Sequence, residues 1–88
     1  NLTIAYFRDA DLTDADLSRA NLTGATLSSA ILTNANLRGA NLTIAYFRDA
    51  DLTDADLSGA DLSGVIADSR TICPNGKKWG TTGNNCGF

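Results

Sequence analysis

The sequence predicts an all-β solenoid, in which the chain winds into short coils that stack on one another. Two observations predict this fold. Residues 1–64 repeat a five-residue phrase about thirteen times, as in ADLTD at 10–14. Residues 1–18 then recur unchanged at 41–58, a shift of forty residues. Short repeats of fixed length are typical of solenoids, because each unit buries its apolar side against its neighbours.

The apolar residues of the phrase argue against a continuous helix or strand. A Leu or Phe recurs every five residues, with an Ala two residues before nearly every one, so the apolar spacing alternates between two and three. A helix needs a period of about 3.6 residues and a strand one of about 2.0. The chain must therefore bend once in each phrase, with the small and the large residue both inward. The predicted core residues are Leu2, Phe7, Leu12, Leu17, Leu22, Leu27, Leu32, Leu37, Leu42, Phe47, Leu52, Leu57 and Leu62.

Four phrases close a square coil of twenty residues, so residues 1–64 hold about three coils. Successive coils then stack about 4.8 Å apart, which is the spacing of paired strands. Phe7, Leu27 and Phe47 fall in one interior column under this register. Each buried side chain of this size contributes about 1.5–3 kcal/mol to folding.

The phrase resembles the pentapeptide-repeat family, whose pattern is A(D/N)LXX. The matches run through residues 1–64, which is most of the chain. The resemblance implies a right-handed quadrilateral β-helix. The handedness comes from the resemblance alone, because the spacing argument is the same for either hand.

The two positions that follow each Leu are predicted to form a turn. Thr or Ser fills the first of them in most phrases. Residues that tolerate positive φ fill the second position at the sharpest predicted turns. These residues are Gly24, Asn34, Gly39, Gly59 and Gly64. The Asp or Asn before each Leu is predicted to bond the local backbone.

Two tyrosines depart from the polar exterior. Tyr6 and Tyr46 share an outer column of the predicted coil, with Thr26 between them. One interpretation is that the duplication simply copied a surface ring. The other is a platform on which a ligand stacks.

The phrase breaks down after Leu62, and the chain is predicted to divide there into a β-helix at 1–64 and a capping segment at 65–88. Asn75-Gly76 is a hairpin signal within this segment. An open solenoid end exposes unpaired backbone and apolar core, so it needs a cover. Trp79 is the predicted lid.

Cys73 and Cys86 are the only cysteines, and both lie outside the predicted core. An even pair in a small domain predicts a disulfide. Two free thiols in a reducing cytoplasm are the alternative. Similar Cys-Pro-Asp/Asn-Gly tails end some cyanobacterial members of the family, as the resemblance adds. A disulfide predicts an oxidising location, the periplasm or the thylakoid lumen.

The composition argues against several functions. The net charge is −3, which disfavours direct binding of nucleic acid. The chain has no His and no Glu, so the commonest general base and metal ligand are missing. No long apolar run predicts a membrane span. The sequence predicts no enzyme activity, no cofactor and no metal site, and the spacing of the acids in 9–16 is poor for Ca²⁺.

The leading hypothesis is therefore a monomeric, non-enzymatic structural or interaction module with an unidentified protein partner. The alternative comes from the resemblance: some pentapeptide-repeat proteins mimic DNA and act on DNA gyrase. Those proteins are longer, dimerise through the rod end and carry a continuous acidic surface. Here acidic coils alternate with one at 21–40 that holds no acid. The chain begins inside a phrase without Met, which predicts a processed or trimmed product, and the duplication is either natural or engineered.

Overall fold

The computed structural model describes residues 5–76, which form a coil with four sides in every twenty residues. The outward residue of each side makes a parallel β-bridge with the residue one coil further on, as Asn21 does with Asn41. We name the sides by the columns that these residues form. Side A carries Tyr6, Thr26, Tyr46 and Ile66; side B carries Asp11, Ile31, Asp51 and Ile72; side C carries Asp16, Asn36 and Asp56; side D carries Asn21, Asn41 and Asp61.

Within residues 5–76 the pairing consists of isolated single-residue bridges, and neither a helix nor an extended strand forms. The chain bends after every bridge residue, so a side is too short for a continuous strand. The architecture is β-bridged with the predicted twenty-residue period, although it lacks the strands that the term all-β usually implies.

Hydrogen bonds between coils replace those of an ordinary sheet. In residues 40–44 every backbone N–H is paired. Three N–H groups donate to carbonyls of neighbouring coils at 2.8–2.9 Å, and the N–H of Ala40 closes a turn to Leu37 at 3.1 Å. The N–H of Thr43 donates to Oδ1 of Asn41 at 3.1 Å, as predicted for the Asn or Asp before Leu. A phrase with Asn or Asp before its Leu therefore pairs all of its own backbone donors, as residues 40–44 do.

The second turn position adopts positive φ in phrase after phrase. The five predicted positions, Asn34 among them, have φ between 62° and 70°. Further residues without glycine's freedom share this conformation, which the sequence did not predict. They are Asp9, Asp14, Arg19, Ser29, Ile44, Asp49 and Asp54. Ile44 is the exceptional case, because a β-branched side chain is strained at its φ of 55°.

The core is one continuous apolar column inside the coils. Its fully buried large side chains are Leu22, Leu27, Leu32, Leu37, Leu42, Phe47 and Leu52. The partly buried Phe7, Leu12, Leu17, Leu57 and Leu62 pack against it. These five belong to the end layers, where the described neighbours cover them on one side only. Leu2 lies outside the described residues.

The coil continues beyond residue 64. Ile66 bridges Tyr46, and Ile72 bridges Asp51 at a shift of twenty-one residues instead of twenty. Thr71 and Cys73, which follow the extra residue, are both fully buried. Cys73 thus occupies an inward position in the last layer, and the expectation that it lies outside the core was wrong. The five-residue spacing is broken between Ile66 and Ile72, so the inward positions after the break could not be recognised from the sequence.

Trp79 and Cys86 lie outside the described residues. The lid and the disulfide therefore stay predictions, and so does a separate capping segment, although the coil runs past residue 64 to Ile72. Residues 5–76 contain no helix with the length and hydrophobicity that crossing a membrane requires.

Candidate interaction surface

Side A differs from the other three sides in what it presents to solvent. Sides B, C and D each carry Asp or Asn residues that bond the turn following them. Asp11 shows the pattern: its Oδ1 accepts from the backbone N–H of Thr13 at 3.1 Å and from the hydroxyl of Thr13 at 2.6 Å. Within residues 5–76, side A alone has neither Asp nor Asn in its outer column. Side A therefore lacks these bonds from an Asp or Asn side chain to the following turn, and it exposes larger side chains.

The exposed side chains of side A and its edge are aromatic and aliphatic. Tyr6 is 70% exposed, Tyr46 is 43% exposed and Ile44, at the edge before Tyr46, is 52% exposed. Tyr6 and Tyr46 are two layers apart in one column, so their backbones lie about 10 Å apart. The shorter Thr26 sits between them. The duplication therefore produces two rings with a gap between them.

Arginines line the edge that follows side A, which we call the arginine corner. An open depression of about 470 Å³ lies there. It is lined by Arg8, Thr26, Ser28, Ser29, Arg48, Asp49, Asp68 and Arg70. Ser28 stands between Arg8 and Arg48 in the stack. The only salt bridge among residues 5–76 joins Arg38 to Asp56 at 3.3 Å on another side, so no carboxylate pairs with the three arginines of the corner.

The two carboxylates of the corner are bonded to nearby backbone and hydroxyl groups. Oδ1 of Asp68 accepts from the N–H of Asp49 at 3.1 Å, from that of Arg70 at 3.0 Å and from the hydroxyl of Thr71 at 3.3 Å. Burial tends to raise the pKa of Asp68, but these hydrogen bonds and the Arg70 charge together lower it. Oδ2 of Asp49 accepts from the Ser29 hydroxyl at 3.4 Å. Asp68 is therefore ionised and held in its own turn.

Carboxylates on the other sides are also committed to their turns. A lowered pKa is found for Asp11, Asp16, Asp56 and Asp61. The main cause of each lowered pKa is the hydroxyl two residues further on, followed by the backbone N–H of that residue, while desolvation opposes both. Such groups stay ionised and are poor proton donors at neutral pH.

The four acids considered for Ca²⁺ do not converge. Asp11 and Asp16 bond their own turns, and Oδ1 of Asp14 accepts from the amide of Asn34 at 2.7 Å. Across residues 5–76, no group of three or more potential metal ligands comes together.

A second depression of about 400 Å³ lies at the corner after side C. Ser18, Arg19, Asn36, Arg38, Gly39 and Ser58 line it. Here the ion pair with Asp56 engages one of the two arginines. This corner resembles the arginine corner in shape and lining, but has one guanidinium without a salt bridge instead of three.

Sequence reasoning identified Tyr6 and Tyr46 but missed the arginine corner. The twenty-residue register places positions 8, 28 and 48 in one column, so Arg8 and Arg48 could have been found. Arg70 could not, because it reaches the corner through the extra residue between Ile66 and Ile72.

The described coil matches a known family and known structures. The family model for pentapeptide repeats matches residues 5–43 and 30–66, with 8 copies. A pentapeptide repeat protein from the cyanobacterium Cyanothece 51142 is 38% identical, with a TM-score of 0.54; the match covers 78% of this chain and 50% of that one. No curated protein sequence matches the chain.

Two further structures are similar at lower TM-scores. HetL, involved in heterocyst differentiation regulation in Nostoc sp. strain PCC 7120, is 36% identical over 88% of this chain and 40% of its own, with a TM-score of 0.40. A protein from the thylakoid lumen of Arabidopsis thaliana is 26% identical over 90% of this chain and 79% of its own, also with a TM-score of 0.40. The chain spans half or less of the length of the two cyanobacterial proteins.

Proposed function

Because the chain belongs to the pentapeptide-repeat family, we propose that it forms a right-handed quadrilateral β-helix of about three coils and acts as a monomeric protein-interaction module. Proteins of this family are generally non-enzymatic. The similarity to the Cyanothece structure supports the fold and its hand. The observation that carries the function is side A, where exposed Tyr6 and Tyr46 stand in place of the Asp and Asn of the other sides.

The chemistry of side A and the arginine corner suits a protein partner. Tyr and Arg dominate the residues whose removal weakens protein interfaces most. A tyrosine contributes a large contact area with few rotatable bonds, so little side-chain entropy is lost on binding. The coil under side A is rigidly bonded, with Phe47 fully buried directly beside Tyr46. The two rings are therefore presented on a preorganised support.

The location belongs to the same proposal. A disulfide between Cys73 and Cys86 would close a loop of fourteen residues, counted inclusively, and tie the capping segment to the last coil. The chain-entropy model assigns about 3 kcal/mol to a loop of this length. The complete burial of Cys73 supports an anchoring role. The protein would then work in the periplasm or the thylakoid lumen, with Trp79 held as a lid over the coil end.

A DNA-mimicking action on gyrase is the alternative. The ionised Asp residues on sides B, C and D are the feature in its favour. However, Ile31 interrupts the acids of side B and Asn36 those of side C. The arginine corner adds three positive charges at the edge that follows side A. These features favour the interaction module over a mimic of continuous DNA charge.

A capture experiment compares three forms of the full chain in extract from the source organism. The double variant Tyr6→Ser, Tyr46→Ser removes the rings, and Ile31→Ser removes the exposed apolar side chain of side B. We expect the native chain and Ile31→Ser to capture the same protein and the double variant to lose it. Equal capture by all three forms would contradict the role of side A. Inhibition of gyrase supercoiling at low micromolar protein would favour the alternative.

A further inference from the structure

We propose that the depression at the arginine corner binds a phosphate monoester group, carried by a phosphorylated residue of the protein partner. The proposal rests on the proposed function and names the chemistry that the partner presents.

The corner is built from cationic side chains around a short one. Arg8 and Arg48 are two layers apart in the same column, with backbones about 10 Å apart. Ser28 fills the layer between them, and its side chain is too short to close the gap. Arg70 lines the same depression from the next layer. Three arginines and the two serines Ser28 and Ser29 thus line one space.

The guanidinium groups are available to a ligand. None of the three takes part in the single salt bridge of the described coil, which belongs to Arg38 and Asp56. Oδ1 of Asp68 already accepts three hydrogen bonds, two of them from backbone N–H groups. An incoming oxyanion therefore competes with no ion pair at the corner, and Arg binds phosphate through paired N–H donors.

The charges at the corner favour phosphate over a carboxylate. Asp49 and Asp68 also line the depression, and their charges repel any anion there. A carboxylate brings one negative charge, whereas a phosphate monoester brings about 1.5 to 2 near pH 7 and three acceptor oxygens. The field of the three arginines and two acids acts on either anion, but a phosphate monoester gains up to about twice as much from it as a carboxylate and offers one more acceptor oxygen.

The position of the depression indicates a residue within a polypeptide. A space of about 470 Å³ is far larger than a phosphate group, so it leaves room for the side chain that carries it. Thr26 lines the depression and also stands between Tyr6 and Tyr46 on side A. A bound phosphorylated residue would place its chain neighbours directly beside the two rings.

The first test titrates the full ¹⁵N-labelled chain with O-phosphoserine and with inorganic phosphate, using acetate at equal ionic strength as the reference. We expect saturable shifts at the amides of Ser28 and Ser29 with phosphoserine and none with acetate. In the double variant Arg8→Gln, Arg48→Gln, phosphoserine should bind about tenfold more weakly or worse, since charged hydrogen bonds are lost. The control Arg19→Gln removes an arginine from the other depression and should change the affinity less than about twofold.

Three results would overturn the proposal. One is a set of amide shifts that does not saturate with phosphoserine and that Arg19→Gln reduces as much as the Arg8→Gln, Arg48→Gln variant does. Another is saturable binding of inorganic phosphate without phosphoserine, which would make the corner a free-phosphate site. The third is undiminished capture of the partner from phosphatase-treated extract. The Tyr6→Ser, Tyr46→Ser variant separates the two proposals, because it should lose the partner yet still bind phosphoserine.

Discussion

The hydroxyl of Thr71, in the last described layer, donates a hydrogen bond of 2.7 Å to the carbonyl oxygen of Phe47 in the layer beneath it. The same hydroxyl oxygen accepts from the backbone N–H of Asp68 at 3.1 Å. Thr71 is fully buried at a position where most phrases have Ala. It therefore joins the irregular turn at 68–71 to the regular coil beneath it.

Replacing Thr71 with Val keeps the shape of the side chain and removes the hydroxyl with all its contacts to Phe47 and Asp68. We expect Thr71→Val to lower the free energy of unfolding by about 1–3 kcal/mol, because the partly buried N–H of Asp68 loses this acceptor and the carbonyl of Phe47 loses one of its donors. Urea denaturation measures the change. The control Thr53→Val removes a partly exposed hydroxyl and should cost less. Equal losses would show that the buried bond has no special role.

The narrowness of the coil is tested at Ala30, which is 1% exposed. Ala30→Leu should destabilise the fold by about 1–3 kcal/mol or more, because the extra carbons have no space in the packed interior. Arg48→Leu places the same side chain outward, at a turn position without positive φ. Its free energy of unfolding should stay within about 0.5 kcal/mol of that of the native chain. Thermal unfolding of both variants checks the prediction, which fails if they are equally stable.

Acid should weaken the coil through the turn-bonding carboxyls. The folded-state pKa of Asp11 and of Asp16 lies below the ordinary value, chiefly because of the hydroxyls of Thr13 and Ser18. Their contribution is complete above the unfolded pKa of about 3.9 and is lost as the pH falls through the lower folded pKa. Stability should therefore decline below about pH 4.

The double variant Asp11→Asn, Asp16→Asn tests the cause of that decline. Asn accepts the same turn bonds elsewhere in the coil, as Asn41 does from Thr43. The variant should match the native chain at neutral pH and lose less stability in acid. Urea denaturation between pH 2.5 and 7 measures this, with Asp54→Asn as the control. An unchanged acid decline would place its origin in other groups.

Ile44 holds a φ of 55°, which a β-branched residue tolerates poorly. Ile44→Asn should raise the free energy of unfolding by about 1 kcal/mol, since Asn adopts this conformation more readily. Ile44→Val keeps the branched carbon and should bring no gain. Thermal melting of the two variants distinguishes relief of strain from a general effect of shortening the side chain, which would stabilise both.

The proposed disulfide is open to direct measurement. The intact chain should be two hydrogens lighter without reductant than with it, and the unfolded native protein should show no reactive thiol. Cys73→Ser would leave a hydroxyl at a fully buried site, so Cys86→Ser is the cleaner variant. It should lose about 3 kcal/mol under oxidising conditions and little under reducing ones. Two titratable thiols in protein from its native compartment would exclude both the bridge and the oxidising location.

The sequence predicted the interior of the coil well because its signal is periodic and redundant. Any one Leu, such as Leu32, could be misassigned without altering the register set by the others. Positive φ at Ile44 was missed because residue preference identifies only the turns occupied by Gly or Asn, which adopt positive φ readily. There the stacked coils impose the turn, through the bond from the N–H of Ile44 to the carbonyl of Ser63 at 2.8 Å. The burial of Cys73 and the approach of Arg70 were missed because a single extra residue ends the periodic signal.

Because the coil has four sides, an insertion or deletion that preserves the fold does not necessarily preserve the surface pattern. Inserting or deleting one five-residue phrase leaves every Ala and Leu inward, yet it rotates all later sides by a quarter turn. Tyr46 would then no longer stand in the column of Tyr6. An insertion or deletion of twenty or forty residues, which is one or two whole coils, leaves every later residue on its original side. Residues 1–18 recur at 41–58 with this forty-residue shift, so the Tyr and Arg pattern is presented twice on the same face.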